Sequence, residues 1–277
     1  MFIYFFVQGQ SELWPISVRN PKSTRYPNMH QPFHVSYKFL SALAIVLLSL
    51  LIAPLVAQKP ERAIPLKAVQ QSKQAANLFE LAMAKPGERI PKALLSKVVA
   101  VAVINNMKTV GLIFEGAGDG RGVVTRRFAN GKWSPPAYIR MAAFSIGPQF
   151  NARSFNVILL FMNDKSADWL LDKKGVVFDR AKAPAAGPVG EIKTEEKEVV
   201  PVADVFSYIF DDGRLQSKDL KNLLKNVAIS FDNNLNKETY GVKAAEILSD
   251  AEGRKLARVP AEVNLFADTV ARLFAAE

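Results

Sequence analysis

The sequence predicts an α+β fold in which an antiparallel, meander or barrel-like β-sheet forms the core and helices flank it. Three observations carry that expectation. Between Val98 and Met162 apolar residues recur in short strand-like runs separated by turn residues, the pattern of consecutive antiparallel strands. Toward both ends of the chain the apolar period changes to that of helices. Gly116-Ala-Gly-Asp-Gly-Arg-Gly122 strips one face of an extended segment of its side chains. A hairpin turn at Asn130-Gly131 follows, with Trp133-Ser-Pro-Pro136, which a central strand does not tolerate.

In chain order, Ala75, Leu78, Phe79, Ala82 and Met83 place a helix over Val69–Lys85, which Pro86-Gly87 ends. Pro91 suits the first turn of a short helix, Lys92–Lys97. Strands are expected at Val98–Ile104, Val110–Gly116, Gly122–Arg127, Ala137–Phe144 and Asn156–Met162. Asn163 or Asp164 caps a helix over Lys165–Lys173. Val176–Phe178, Val202–Phe210 and Val227–Phe231 read as further strands. Asp211-Asp212-Gly213 and Asp232-Asn-Asn234 lack the ligand spacing of an EF-hand, so turn chemistry accounts for them. The last helix, Ala261–Ala275, gathers Val263, Phe266, Val270, Leu273 and Phe274 on one stripe, suited to packing on its own domain, to a membrane surface or to self-association.

Composition removes whole classes of chemistry. The 277 residues include no Cys and only two His. Both, His30 and His34, precede an uncharged apolar run from Phe39 to Ala57. The part after that run therefore lacks the side chains of Ser-His-Asp or Cys-His catalysis and the usual N and S ligands of zinc. Arg121 stands where a dinucleotide fingerprint needs its third glycine, and no Gly-Lys-Ser/Thr follows. The expectation is a protein that is not an enzyme and takes no metal and no cofactor.

The run Phe39–Ala57 follows Lys38 and is close to the roughly 20 residues of a spanning helix, so it is either a secretory signal peptide or a membrane anchor. Pro54 and the small Ala57 favour cleavage. Translation from Met29 gives Met29–Ala57 the anatomy of an ordinary signal peptide. Retained as an anchor, the run still places the rest of the chain outside, because Arg19, Lys22, Arg25 and Lys38 hold the N-terminus in the cytoplasm. The expected location is periplasmic or on the outer face of the inner membrane.

Several separated motifs stand in one order: Ile90-Pro-Lys-Ala-Leu-Leu95, Lys108 with Gly111, the glycine segment, Trp133-Ser-Pro-Pro136, Asn163, Ala186-Gly-Pro-Val-Gly190, and Tyr240-Gly241 before Ile247-Leu248. In this the chain resembles the SYLF domain family, lipid-binding modules of exported bacterial proteins that are related to the yeast actin-binding SYLF proteins. The resemblance covers about Ala75 to Leu248. Together with the apolar run it divides the chain into residues 1–57 as signal peptide or anchor, 58–74 as leader, 75–250 as the SYLF-like domain and 251–277 as a C-terminal amphipathic helix beyond it. Two stretches depart from the family pattern. Met141-Ala-Ala-Phe-Ser-Ile-Gly147 and Gly213-Arg-Leu-Gln-Ser-Lys218 stand where relatives carry more glycines.

Removing Arg19, Lys22, Arg25, Lys38 and Glu12 from the 36 basic and 26 acidic residues leaves a net charge of +7 after the apolar run. Such an excess favours anionic partners, and for an exported chain phospholipid or a membrane surface fits better than nucleic acid. Arg121, Arg126, Arg127 and Lys132 lie close in sequence to the glycine segment. Trp133 adds an amphipathic ring suited to a headgroup interface or to the core of the hairpin. These five residues are the expected site for anionic headgroups. The alternative is a structural or protein-interaction module of the cell envelope that forms a homo-oligomer through Val263, Phe266, Val270, Leu273 and Phe274.

Overall fold

Helices from opposite ends of the chain lie side by side on one face of a mixed sheet, and short helices cover the other face. The computed structural model describes residues 63–111, 116–146, 154–179, 181–190, 203–217, 224–253, 255–256 and 259–275, all within one unit, Glu61–Glu277. The elements begin with α1 (Leu66–Ala84), a 3-10 turn at Pro86–Glu88 and α2 (Lys92–Leu95). The strands β1 (Ala100–Gly111), β2 (Gly116–Arg126), β3 (Ala137–Ile146) and β4 (Ser154–Phe161) come next. After α3 (Asp164–Asp168) and a 3-10 turn at Trp169–Leu171 come β5 (Val176–Phe178), β6 (Ala185–Ala186), β7 (Val205–Asp211), β8 (Arg214–Ser217) and β9 (Leu224–Phe231). The chain ends in α4 (Asn233–Tyr240), α5 (Ala244–Leu248), α6 (Asp250–Gly253) and α7 (Ala261–Ala275).

The strand order is β5-β9-β3-β2-β1-β4-β7-β6, with β8 paired to β7. Only β6–β7 is parallel among these pairings, so the sheet is a largely antiparallel, curled half-barrel and the fold is α+β, as the sequence predicts. Alternation along β1 sets the two cores. Val101 and Val103 point with Val123, Tyr138, Ile158 and Tyr208 toward α1 and α7. Ala100, Ala102 and Ile104 join Val124, Ile139, Val157 and Ile229 on the opposite face, under Ile247 and Leu248 of α5.

α1 contains neither Gly nor Pro and buries Ala75, Ala76, Leu78, Phe79, Ala82 and Met83. Phe79 meets Phe266 of α7 edge to face at 6.3 Å between ring centroids. Ser72 Oγ donates to the Val263 carbonyl at 2.8 Å and accepts from the Phe266 N–H at 3.1 Å, joining the two helices through a fully buried hydroxyl. This corrects the expectation of self-association through α7. Val263, Phe266 and Val270 are 0% exposed, and Leu273 and Phe274 pack against the same core. Burying such side chains is worth about 1.5–3 kcal/mol each, so the stripe is held by its own domain.

Local chemistry explains the element ends. Asn163 Oδ1 accepts from Ser166 N–H at 2.9 Å and caps α3, as expected. Asp232 Oδ1 accepts from Leu235 N–H at 3.2 Å and caps α4. Asp212 and Gly213, with φ of 48° and 69°, make the tight turn from β7 into β8, a strand the sequence did not announce. The first helix among the described residues begins at Leu66, inside the expected leader. The apolar run with Met29, and residues 147–151, lie outside the described residues.

Candidate functional site

The largest difference from the expected strands occurs in β1, and it builds a cleft. Asn105-Asn106 looks like the turn that ends a strand at Ile104. Instead β1 continues to Gly111 through a bulge. Asn105 pairs with Arg121 and Lys108 with Asp119, so Asn106 and Met107 together oppose Gly120. Asn106 adopts φ 54°, a left-handed conformation that Asn tolerates better than other side chains. Its N–H donates to Asn156 Oδ1 at 2.9 Å, and Asn156 Nδ2 donates to the Phe210 carbonyl of β7 at 3.1 Å. Ser154 Oγ bonds the Asn106 side chain. The bulge is thus anchored by the side chains of β4.

The extra residue reverses the alternation. Met107 falls on the same face as Ile104, which turns Lys108 toward α1. Glycines make room for this. A Cβ on Gly120 would lie 2.6 Å from Ile104 Cγ2 and 3.0 Å from Met107 Sδ, and one on Gly122 would lie 2.1 Å from the Val103 carbonyl oxygen. The bare face of the glycine segment therefore receives the side chains and backbone of β1. Its other face carries Asp119 and Arg121 under α1.

Between α1 and this end of the sheet opens a cleft of about 780 Å³. From α1 it is lined by Lys67, Gln70, Gln71, Gln74, Asn77, Leu78 and Leu81, which share one side of the helix. From the sheet come Asn105, Asn106, Lys108, Asp119, Gly120, Arg121, Asn156 and Phe210. Three cations thus face one carboxylate. Asp119 is engaged by Arg140 at 3.4 Å, and Lys67 by Asp232 at 3.3 Å. Lys108 and Arg121 are exposed and have no carboxylate partner among the described residues. Leu81, on the rim, is 61% exposed, and Leu66 lies exposed along the same edge of α1. Inside, Gln71 is 8% exposed with Oε1 unpartnered, and Asn105 Nδ2 is buried and unpartnered.

The five residues expected to form the site do not converge. Arg121 lines the cleft, whereas Arg126 points to the opposite face. There its side chain, 11% exposed, pairs with Asp168 at 2.8 Å and Asp164 at 3.8 Å. Arg127 donates to the Ser96 carbonyl at 2.6 Å and sits 5.9 Å from the Trp133 ring centroid. Trp133 packs edge-on against Phe274 of α7 at 5.1 Å, in the hairpin core. Lys132 is exposed in the turn, where its N–H donates to Asn130 Oδ1. Only Arg127 and Trp133 are brought together. The cleft's other residues carried a legible signal in the spacing of Lys67, Gln70, Gln74 and Asn77, an amide-rich helical stripe beside the apolar one.

Elsewhere burial governs three tyrosines. It pushes the Tyr138 phenol up to about 12 and raises Tyr208 and Tyr240 as well. Among the described residues no group of His, Cys, Asp and Glu is arranged to hold a metal, and no helix is long and apolar enough to cross a membrane.

No curated protein matches the chain. Residues 142–273 match the family model Ysc84, described as Las17-binding protein actin regulator. That segment begins after the glycine segment and Trp133-Ser-Pro-Pro136, and it takes in α7 as far as Leu273, a helix that the resemblance alone had placed beyond the domain. Residues 142–273 are thus similar to the SYLF (Ysc84) domain family.

Proposed function

We propose that the protein is an exported, non-enzymatic lipid-binding module that takes anionic phospholipid headgroups in the cleft between α1 and the β1 bulge. The observation that carries this reading is the pair Lys108 and Arg121, exposed and without carboxylate partners at the mouth of a polar cleft. Leu81 and Leu66 along its edge suit contact with the apolar margin of a bilayer. Export rests on the apolar run Phe39–Ala57. The description of the matched family names an actin regulator. An exported chain does not meet actin, so lipid comes first, and pelleting with actin filaments checks that order.

The test is flotation of the full chain with neutral and anionic vesicles at low and high salt. Binding above the neutral background is expected for anionic vesicles alone and weakens with salt. The double variant Lys108→Glu, Arg121→Glu is expected to lower that binding at least about tenfold, since each cation near an anionic surface is worth about 1 kcal/mol. Undiminished binding by a folded double variant sinks the assignment.

A further inference from the structure

We propose that the cleft reads hydroxyl groups beside the phosphate, so that it prefers a glycerol-phosphate headgroup over anionic headgroups that lack free hydroxyls. This rests on the anionic-headgroup reading and adds a selectivity to it. The observation is a pair of unpartnered atoms in the same cleft. Gln71 Oε1 is an acceptor in a side chain more than nine-tenths buried, and Asn105 Nδ2 is a buried donor. The neighbouring amide of Asn156 is already engaged at both ends, by Asn106 N–H and the Phe210 carbonyl. The vacancy is therefore specific to one acceptor and one donor.

A phosphate diester oxygen accepts only. It can take hydrogen bonds from Asn105 Nδ2, Lys108 and Arg121, but offers nothing to Gln71 Oε1. In a serine headgroup the ammonium donates to Gln71 and the carboxylate accepts from Asn105, but that ammonium has to sit in the field of Lys67, Lys108 and Arg121, which a neutral hydroxyl does not feel as a like charge. A hydroxyl does both. Its O–H donates to Gln71 Oε1 while its lone pairs accept from Asn105 Nδ2, and the phosphate beside it goes to the cations. A headgroup of glycerol phosphate carries this combination. A buried polar atom left without a partner weakens binding of a ligand that cannot meet it, which is the source of the discrimination.

The experiment is flotation of the full chain with vesicles containing phosphatidylglycerol, phosphatidylserine or phosphatidylmethanol, adjusted to equal surface charge. A preference of about fivefold or more for phosphatidylglycerol is expected, from one hydrogen-bonded group gained. Gln71→Met, close in shape but without the acceptor, is expected to remove the preference while keeping salt-sensitive binding to all three. Soluble glycerol phosphate is expected to compete with phosphatidylglycerol vesicles more effectively than dimethyl phosphate, which has no hydroxyl, a readout on the unaltered chain that stands even where a variant fails to fold. Equal binding to the three anionic vesicles, with equal competition, overturns the hydroxyl proposal and leaves the anionic reading intact. Binding to none of them overturns both.

Discussion

At one end of β2, Arg121 stands exposed over a cleft with no carboxylate partner among the described residues. At the other end Arg126 is almost covered and paired with Asp168 and Asp164, while Arg127 spends its guanidinium on the Ser96 carbonyl and the face of Trp133. The residue types are the same, and the difference lies in what faces them. Strand alternation sends Arg121 toward α1 and Arg126 toward α3, and only α3 supplies carboxylates. A cation already satisfied within the fold has little left to offer a headgroup. Charge counted along a sequence therefore overstates the charge available to a ligand.

Substitutions at both ends of β2 separate the two kinds of arginine. Trp133→Ala is expected to have the largest effect on stability, about 2–3 kcal/mol, because it removes the ring between Phe274 and Arg127. Chemical denaturation measures it, and vesicle binding below the transition is expected to persist. Arg126→Ala is expected to cost about 1 kcal/mol, from ion pairs shielded on one side. Arg121→Ala is expected to leave stability within about 0.5 kcal/mol and to weaken binding to anionic vesicles several-fold. Equal losses of vesicle binding for Arg121→Ala and Arg126→Ala would erase the distinction between the two ends.

A smaller effect tests the principle on a different pair. Asp204 accepts from Asn163 Nδ2 at 2.8 Å and pairs with Lys165, and the Asn163 hydrogen bond, ahead of the charge of Lys165, holds its carboxyl below the ordinary value. A lowered folded-state pKa means that the stabilisation is present above the ordinary carboxylate range and is lost as pH falls through the lowered value. Following the Asp204 carboxyl by NMR titration, Asn163→Ala is expected to move its midpoint upward.

How much of this was legible in the sequence depended on the range of the interaction. The cap at Asn163 and the hairpin turn at Asn130-Gly131 are decided by neighbours a few residues away and are read directly from the sequence, whereas Asp232, whose cap is equally local, reads there only as a turn. The α+β class followed from periodicity. The bulge did not, because Asn105-Asn106 has turn composition and only Asn156 and Phe210, from other strands, hold it inside β1. The glycine segment was seen, but what approaches it, Ile104 and Met107, was not. Of the expected site, Arg121 lies in the cleft and Arg126 is drawn away by carboxylates whose position is a tertiary fact. The apolar stripe of α7 was read correctly as a stripe, and its occupant, α1, lies at the other end of the chain.

The hydroxyl of Ser72 has a consequence for the order in which the chain can mature. Its bond to Val263 closes a span of 191 residues. One covering layer of the sheet therefore joins the first and last described helices, and α1 has only the sheet as its partner until α7 exists. A chain that emerges from its N-terminus, from a ribosome or through a translocation pore, leaves the side of α1 that meets Phe266 uncovered until residues 261–275 arrive. Closure of this layer is in this way timed by the arrival of α7, not by the formation of the sheet.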